Sequence, residues 1–366
     1  MNNAKTESDF LFNGSSATLN SGAFTWSAPS NIALVKYWGK HGQQLPANPS
    51  ISFTLNNCKT ITSVAFESRS QDKFSFDLFF EGSPKEDFKP KIQKFLDNAS
   101  PYIPFINQLH LTIDTQNTFP HSSGIASSAS GMAALAMNLM SIEKLLNPEM
   151  ADEYFFQKAS FLARIGSGSA CRSIDGKMVV WGKHQGISES SDLYGVTFDG
   201  KVHEIFENFQ DTILLVDKGE KQVSSSLGHG LMNGHPFAEQ RFSQAHANLS
   251  ELKSVFESGD LQKFIEIVES EALTLHSMMM TSKPYFILMK PNTLEIINKI
   301  WNFRNKTGVP ICFTLDAGAN VHVLYPESHK EKALEFIKAE LVAYCQSNQY
   351  ICDEVGTGAK QLASNS

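Results

Sequence analysis

Residues 120–131 read PHSSGIASSASG and lead directly into a longer apolar stretch that ends near residue 146. From Met132 onward, apolar residues recur at steps of three and four, which predicts a helix with one face in the core. The small residues before it let backbone N–H groups approach a phosphate, and a helix N-terminus adds about half a positive charge. The Gly-Lys-Ser/Thr ending of a Walker A loop is absent. The segment is therefore either a lysine-free phosphate site or a helix start capped by Ser127 or Ser128.

A second segment of small residues, ARIGSGSACRS at residues 163–173, ends in an arginine. The planar guanidinium of Arg172 can hold a carboxylate or phosphate through two hydrogen bonds, which a lysine cannot do. The alternative is a surface loop whose arginine pairs with a nearby acid.

A third segment, NIALVKYWGK at residues 31–40, places two lysines among aromatic residues at the end of an apolar strand. With the two-residue period of a strand, Lys36 shares a face with Leu34 and Trp38, where an ammonium group needs an anionic partner. Alternatively, Lys36 extends its charged end from the strand into solvent.

The fourth segment, TLDAGANVHVLY at residues 314–325, has an aspartate where the apolar strand ICFTL gives way to a glycine-containing turn. A carboxylate held at a strand end, Asp316, can act as a base or orient a hydroxyl group. Asp before Ala-Gly is also common turn chemistry, with the side chain bonding the backbone two residues on.

The composition restricts the class of protein. With 366 residues, 42% of them hydrophobic, the chain can form two lobes, and the cleft between lobes is the usual place for a small-molecule site. The net charge of −7 and the lack of Lys/Arg-rich runs exclude nucleic acid as a partner. No apolar run is long enough to span a membrane, and no targeting signal stands at the N-terminus. Five scattered cysteines fit a cytoplasmic enzyme with free thiols.

Strand patterns dominate the first half of the chain and helical patterns the second, without regular βαβ alternation, which predicts an α+β fold. Residues 1–22 are rich in Ser, Asn and Thr and are predicted to be a flexible extension. The polar, turn-rich segment around residue 190 suggests an N-terminal lobe at 23–200 and a C-terminal lobe at 201–366.

Taken together and in this order, SAPSNIALVKYWGK, FPHSSGIASSASG, ARIGSGSACRS and TLDAGANVHVLY resemble the diphosphomevalonate decarboxylase family. This family belongs to the superfamily of galactokinase, homoserine kinase, mevalonate kinase and phosphomevalonate kinase (GHMP). The resemblance spans residues 24–326. It implies a two-lobed fold with a deep cleft, ATP and Mg²⁺ as co-reactants, a homodimer, and 5-diphosphomevalonate as substrate. The implied reaction phosphorylates the 3-hydroxyl and then expels phosphate and CO₂ to give isopentenyl diphosphate.

The same resemblance implies the roles of individual residues. Asp316 matches the catalytic aspartate, Arg172 the arginine that holds the substrate carboxylate, and Lys36 an active-site lysine. The positions that match substrate contacts are Tyr37, Trp38, Gly39, Lys40, Ser167, Gly168, Ser169, Ala170, Cys171, Arg172, Ser225 and Ser226. The positions that match the phosphate loop for ATP are Ser122, Ser123, Gly124, Ala126, Ser127 and Ser128. No residue is assigned to Mg²⁺ or to adenine.

One departure bears on the substrate. The run VSSS ends in Ser226, where the family commonly has Thr or Arg, so the preference for a diphosphate over a monophosphate stays open. The rival activities are decarboxylation of 5-phosphomevalonate and 3-phosphorylation of mevalonate without loss of CO₂. A nucleotide-binding regulator without turnover is the rival from another class.

Overall fold

The computed structural model describes residues 5–14, 19–120, 125–217 and 225–365. In these ranges the strands are, in order, β1 (Ser21–Val35), β2 (Lys40–His41), β3 (Leu45–Pro46), β4 (Ser50–Ser68), β5 (Ser75–Phe80), β6 (Ser83–Pro84), β7 (Leu109–Asn117), β8 (Met178–Trp181), β9 (Val196–Thr197), β10 (Gln210–Leu214), β11 (Cys312–Thr314), β12 (Val321–Tyr325), β13 (Tyr350–Glu354) and β14 (Lys360–Asn365). The α-helices are α1 (Lys89–Ala99), α2 (Ser127–Leu146), α3 (Asp152–Gly166), α4 (Ser225–Gly230), α5 (Ala238–Ser258), α6 (Leu261–Met280), α7 (Pro291–Thr307) and α8 (Lys330–Phe336).

The strands form two main sheets. The larger has the order β14–β1–β4–β7–β5–β6, with β8 joined to β4 and β9 to β8. The smaller has the order β11–β12–β10–β13, and its strands are antiparallel. The predicted α+β class is confirmed. The last strand, β14, pairs with β1, so residues 360–365 return to the larger sheet although the sequence assigns them to the C-terminal lobe.

The larger sheet owes its register to alternating side chains. Along β4, buried residues alternate with more exposed ones from Cys58 to Glu67, the pattern of a strand with one face on a core. That core lies between the sheet and the helices α2 and α3.

Helix α2 is more deeply buried than the sequence predicts. Fifteen of its twenty residues are buried, not one face alone. It contacts β1 and β4 on one side and α3 with the 3₁₀ helix Gly168–Ser173 on another, and its many alanines allow this close approach on several faces. The body of the helix is therefore fixed by packing on several sides.

The prediction of a flexible extension does not hold for residues 5–14. Glu7–Phe10 form a 3₁₀ helix, and the Phe10 side chain is fully buried, stacked on Phe161 with ring centroids 4.4 Å apart. The prediction relied on the mainly polar composition of the segment, in which the one buried aromatic residue, Phe10, has little weight. No helix in the described ranges is long and apolar enough to cross a membrane.

Helix α6 connects the two sheets. It contacts the end of β1 in the larger sheet and β11 in the smaller one. Lys36 directly follows β1, and Asp316 lies two residues after β11. The helix therefore brings together two segments that stand far apart in the sequence.

Candidate active site

Lys36 and Asp316 form an ion pair at the floor of a cleft. Lys36 Nζ lies 3.1 Å from Asp316 Oδ1, and the lysine side chain is 2% exposed while that of the aspartate is 32% exposed. Burial lowers the pKa of Lys36, and the negative charge of Asp316 acts in the opposite direction. The lysine orients the carboxylate, and the carboxylate remains within reach of the cleft.

The backbone of Asp316 is fixed by a histidine that the sequence analysis did not identify. His276 Nε2, on α6, lies 3.1 Å from the carbonyl oxygen of Asp316. Burial lowers the pKa of His276 to about 4, so the neutral ring donates this hydrogen bond through Nε2–H. No local sequence pattern identifies the histidine, because its partner lies 40 positions away.

Arg172 is a buried cation that makes no ion pair within 4 Å in the described residues, although the negative charge of Asp316 acts on it from further away. Its guanidinium donates to Ser50 Oγ and, through Nε at 3.4 Å, to Asn31 Oδ1. Burial lowers its pKa. The surface-loop alternative is wrong, because Arg172 is 3% exposed and lines the cleft. A buried charge of this kind needs an anion to complete its interactions.

The segment after Lys36 forms an aromatic wall of the same cleft. The Tyr37 ring lies 4.6 Å from that of Trp181 and 4.2 Å from that of His229, and the Tyr37 hydroxyl is buried without a hydrogen-bond partner among the described residues. The Trp38 ring also lies near that of His229, with ring centroids 4.6 Å apart. Lys40 lines the cleft, and its Nζ donates to Gln44 Oε1 at 2.9 Å.

His229 is a second functional candidate that the sequence analysis missed. Its Nδ1 accepts a hydrogen bond of 3.0 Å from the backbone N–H of Gly39, whose φ of +103° favours glycine. Burial, followed by the positive charges of Lys40 and Arg172, lowers the pKa of His229 to about 3. The ring is therefore neutral, with its proton on Nε2.

The segment from Ser167 to Cys171 divides between cleft and core. Ser167, Gly168 and Ser169 line the cleft, whereas Ala170 and Cys171 are buried. A Cβ at Gly168 would lie 2.9 Å from the Tyr37 hydroxyl oxygen, so only glycine fits there. Ala170 and Cys171 thus support the wall from behind.

The start of α2 also opens onto the cleft. Ala126, Ser127 and Ser128 line it, whereas Ser122, Ser123 and Gly124 lie outside the described residues. The N-cap residue is Ala126, and it makes no side-chain hydrogen bond to the helix. This does not support the alternative that Ser127 or Ser128 merely caps the helix. Ser225 and Ser226 open the helix that carries His229, and the structure describes their backbone only.

Two lysines on α1 lie near this helix start. Lys91 Nζ donates a hydrogen bond of 2.6 Å to Ser128 Oγ, and both Lys91 and Lys94 line the cleft. Residues three apart on a helix lie on the same face, so the sequence could have indicated that these two lysines act together. Apolar side chains of Phe80, Phe88 and Ile92 continue the cleft beyond the lysines.

The whole cleft has a volume of about 1130 Å³, large enough for two small molecules side by side. The cleft contains the N-terminus of α2 with nearby lysines, the carboxylate of Asp316 and the buried guanidinium of Arg172. Within the described residues, no cluster of three or more His, Cys, Asp or Glu side chains could hold a metal ion. Mg²⁺ commonly takes one or two carboxylates together with substrate phosphates, which such a cleft can supply.

The fold and the cleft define a phosphotransferase-like protein of the GHMP kinase fold. The chain belongs to the diphosphomevalonate decarboxylase family. The family model of the diphosphomevalonate decarboxylase-like N-terminal domain matches residues 28–192, and that of the mevalonate 5-diphosphate decarboxylase C-terminal domain matches residues 212–364. The predicted lobe boundary at residue 200 falls between the two matches and stays a prediction.

Known relatives agree with this assignment. Diphosphomevalonate decarboxylase from Debaryomyces hansenii is 30% identical over 325 residues, which cover 85% of this chain and 81% of the relative. The crystal structure of mevalonate diphosphate decarboxylase from Staphylococcus aureus is 27% identical with a TM-score of 0.79, covering 94% of this chain and 98% of that chain. A structure described as MDDEF in complex with MVAPP, AMPPCP and magnesium is 28% identical with a TM-score of 0.80, covering 93% and 99%.

Proposed function

We propose that this chain catalyses the ATP-dependent decarboxylation of (R)-5-diphosphomevalonate to isopentenyl diphosphate, ADP, phosphate and CO₂. The observation that carries the proposal is the Lys36–Asp316 ion pair, 3.1 Å long, in one cleft with Arg172, a buried cation that makes no ion pair within 4 Å in the described residues. Family membership and the relative in complex with MVAPP, AMPPCP and magnesium support it.

The start of α2 fits the phosphates of ATP. Backbone N–H groups at Ser127 and Ser128 are free of the intrahelical ladder in the first turn, and Lys91 lies beside them at 2.6 Å from Ser128 Oγ. Phe80 and Phe88 offer an apolar surface for a base. When bound, ATP with Mg²⁺ supplies the phosphoryl group and neutralises part of the phosphate charge.

Asp316 acts on the 3-hydroxyl of the substrate. Its carboxylate either accepts the hydroxyl proton or orients the oxygen toward the phosphoryl donor, and Lys36 holds it in place. Phosphoryl transfer passes through a loose transition state, so positioning contributes strongly. The hydroxyl becomes a phosphate ester, which is a far better leaving group than hydroxide.

Arg172 holds the substrate carboxylate. As the phosphate leaves C3, the electron pair of the C–C bond to the carboxylate forms the new double bond, and CO₂ departs. A carbon with developing positive charge forms on the way, so a fixed alignment of the two breaking bonds matters. The contacts of Arg172 with Ser50 and Asn31 fix that alignment.

The remaining wall residues surround the rest of the substrate. Lys40, Ser167 and Ser169 lie on the cleft surface, where their ammonium and hydroxyl groups fit diphosphate oxygens, and Tyr37 lines the cleft beside them. The sequence further predicts a homodimer in the cytoplasm, and sedimentation of the purified protein tests its oligomeric state.

A substrate panel tests the function directly. The purified protein is incubated with ATP, Mg²⁺ and, separately, mevalonate, its 5-phosphate and its 5-diphosphate, while ADP and CO₂ are measured. We expect equal amounts of ADP and CO₂ with the 5-diphosphate. The same result with only the monophosphate would point to the rival decarboxylase, ADP without CO₂ to a kinase, and neither product to a regulator.

A further inference from the structure

The backbone of Lys36 is held by a buried ion pair on the helical layer, outside its own sheet. Glu271 Oε2, on α6, accepts the Lys36 backbone N–H at 2.8 Å, and Arg241 Nη2, on α5, donates to the Lys36 carbonyl at 3.0 Å. Asn48 Nδ2 also donates to the Lys36 carbonyl, at 2.9 Å. The backbone N–H of Lys36 is therefore bound by a side chain from the other half of the chain, and its carbonyl is shared between Arg241 and Asn48.

The two clamping side chains also bind each other. Arg241 Nη1 lies 2.9 Å from Glu271 Oε1, Arg241 Nη2 lies 2.5 Å from Glu271 Oε2, and both side chains are 0% exposed. Asn248 Nδ2 donates to the remaining lone pair of Glu271 Oε1 at 2.6 Å. A buried pair of this kind contributes little net stability over apolar residues, so a specific geometric role is the better reason for its presence.

The same helix holds the partner of Lys36. Glu271 fixes the lysine backbone, and His276, five residues further along α6, donates to the carbonyl of Asp316. One rigid helix therefore sets the positions of both members of the Lys36–Asp316 pair.

We infer that Glu271 and Arg241 are positioning residues, which hold Lys36 so that its ammonium group meets Asp316 in the geometry that phosphoryl transfer needs. This inference rests on the proposed function. A misplacement of about 1 Å costs on the order of 100-fold in rate, so a clamp of two buried side chains has a measurable effect on turnover.

The charge of Glu271 also affects the pKa of Lys36, and this effect can be measured separately from the positions of the atoms. The groups around Lys36 are Asp316 and Glu271, which favour its charged form, and Arg172 and the burial itself, which disfavour it; Arg241 and His276 lie against its backbone and its partner. Removal of the Glu271 charge lowers the pKa of Lys36. Because turnover needs the ammonium form, the alkaline limb of the kcat profile moves to lower pH.

Two neighbouring glutamates on α6 supply a matched comparison. Glu269 is also buried and paired, to Arg304 at 2.7 Å and to Trp301 Nε1 at 2.8 Å, and it contacts α7, not the cleft. Glu271→Gln and Glu269→Gln thus make the same chemical change on one helix, and only the first touches Lys36.

The experiment measures kcat, the KM for ATP and the pH profile of the wild type, Glu271→Gln, Glu269→Gln and Arg241→Lys. For Glu271→Gln we expect kcat to fall about 10- to 100-fold with the KM for ATP within about twofold, and the alkaline limb to move to lower pH. Arg241→Lys keeps both charges of the pair but loses the guanidinium that binds Glu271 through two nitrogens. For this variant we expect a lower kcat, while the alkaline limb of the pH profile does not move to lower pH. Glu269→Gln retains the wild-type kcat and profile.

If Glu271→Gln and Glu269→Gln have equal kinetics, the inference is overturned. If Glu271→Gln does not fold, a wild-type kcat in Arg241→Lys overturns it instead. A crystal structure of Glu271→Gln adds a readout that does not need activity, because we expect the Lys36–Asp316 distance to exceed about 4 Å. An unchanged distance contradicts the positioning role. A wild type that releases no CO₂ overturns the proposed function instead, and the crystallographic comparison still tests the clamp.

Discussion

Lys36 Nζ and Asp316 Oδ1 lie 3.1 Å apart, although 280 positions separate the two residues in the chain. The pair is asymmetric, with a lysine side chain that is 2% exposed and an aspartate that is 32% exposed. The buried ammonium group holds the carboxylate in place at the surface of the cleft. This asymmetry separates the pair from the buried Lys158–Glu143 pair, whose side chains are 0% and 1% exposed and which lies in the core.

We expect a substitution of Arg172 to affect the Tm of the free protein and the binding of the substrate in opposite directions. A buried guanidinium that makes no ion pair within 4 Å in the described residues costs free energy, so Arg172→Met is expected to have a Tm at or above that of the wild type. The wild type gains Tm on addition of 5-diphosphomevalonate by mass action, and the variant does not. Thermal unfolding with and without this substrate measures both effects.

The control for that experiment is Arg304→Met. It leaves Glu269 without its charged partner, so it lowers the Tm of the free protein and keeps the gain on substrate addition. A full substrate-induced gain in Arg172→Met would contradict the role of Arg172.

The buried histidines predict the acid limit of stability. The pKa of His229 is about 3 and that of His276 about 4 in the fold, below the ordinary value of 6.5. Below pH 6.5 the unfolded chain therefore binds protons that the folded chain does not, and the free energy of unfolding falls as the pH falls. Each histidine adds a slope of up to about 1.4 kcal/mol per pH unit.

His229→Asn isolates one of these two contributions. The amide oxygen can still accept the Gly39 N–H, but it does not titrate. Urea unfolding between pH 5 and 6.5 is expected to show a slope smaller by roughly 0.7 kcal/mol per pH unit near pH 6.5, rising toward about 1.4 kcal/mol per pH unit at pH 5, in the variant. Parallel curves for the two proteins would show that the pKa of His229 is the same in the fold as in the unfolded chain.

Phe10 predicts that the N-terminal segment contributes to stability. Its side chain stacks on Phe161 at 4.4 Å and meets Tyr194 edge-on at 5.7 Å. Phe10→Ala is expected to cost about 3 to 5 kcal/mol in the free energy of unfolding, measured by urea denaturation. Leu11→Ala, at a side chain that is 47% exposed, is the neighbouring control and changes it by about 0.5 kcal/mol or less. Equal effects of the two changes would mean that Phe10 is not an anchor.

The sequence predicts the features that short motifs and periodicity encode. The helix after the phosphate loop, the strand–turn–strand around Asp316 and the α+β class all depend on local patterns, and the structure confirms them. The degree of burial of α2 was underestimated, because periodicity reports the strongest apolar face and not how many neighbours a small-residue helix admits.

The missed residues are those whose role depends on long-range contacts. His229 lies 190 positions from Gly39, and Glu271 lies 235 positions from Lys36. A buried histidine or glutamate has no local signature that separates a positioning role from a surface one. Phe10 was missed for a related reason, since one aromatic side chain in a polar segment hardly changes its composition.

The central claim is that Asp316 acts on the substrate hydroxyl, and Asp316→Asn tests it most directly. The amide keeps the shape and loses the charge that pairs with Lys36. In single-turnover experiments with ATP, Mg²⁺ and 5-diphosphomevalonate, we expect ADP and CO₂ formation to slow by about 10²- to 10⁴-fold while the Kd for ATP is retained. Asp114→Asn, on the exposed face of β7, retains the wild-type rate as a control. Near-normal turnover in Asp316→Asn would contradict the account.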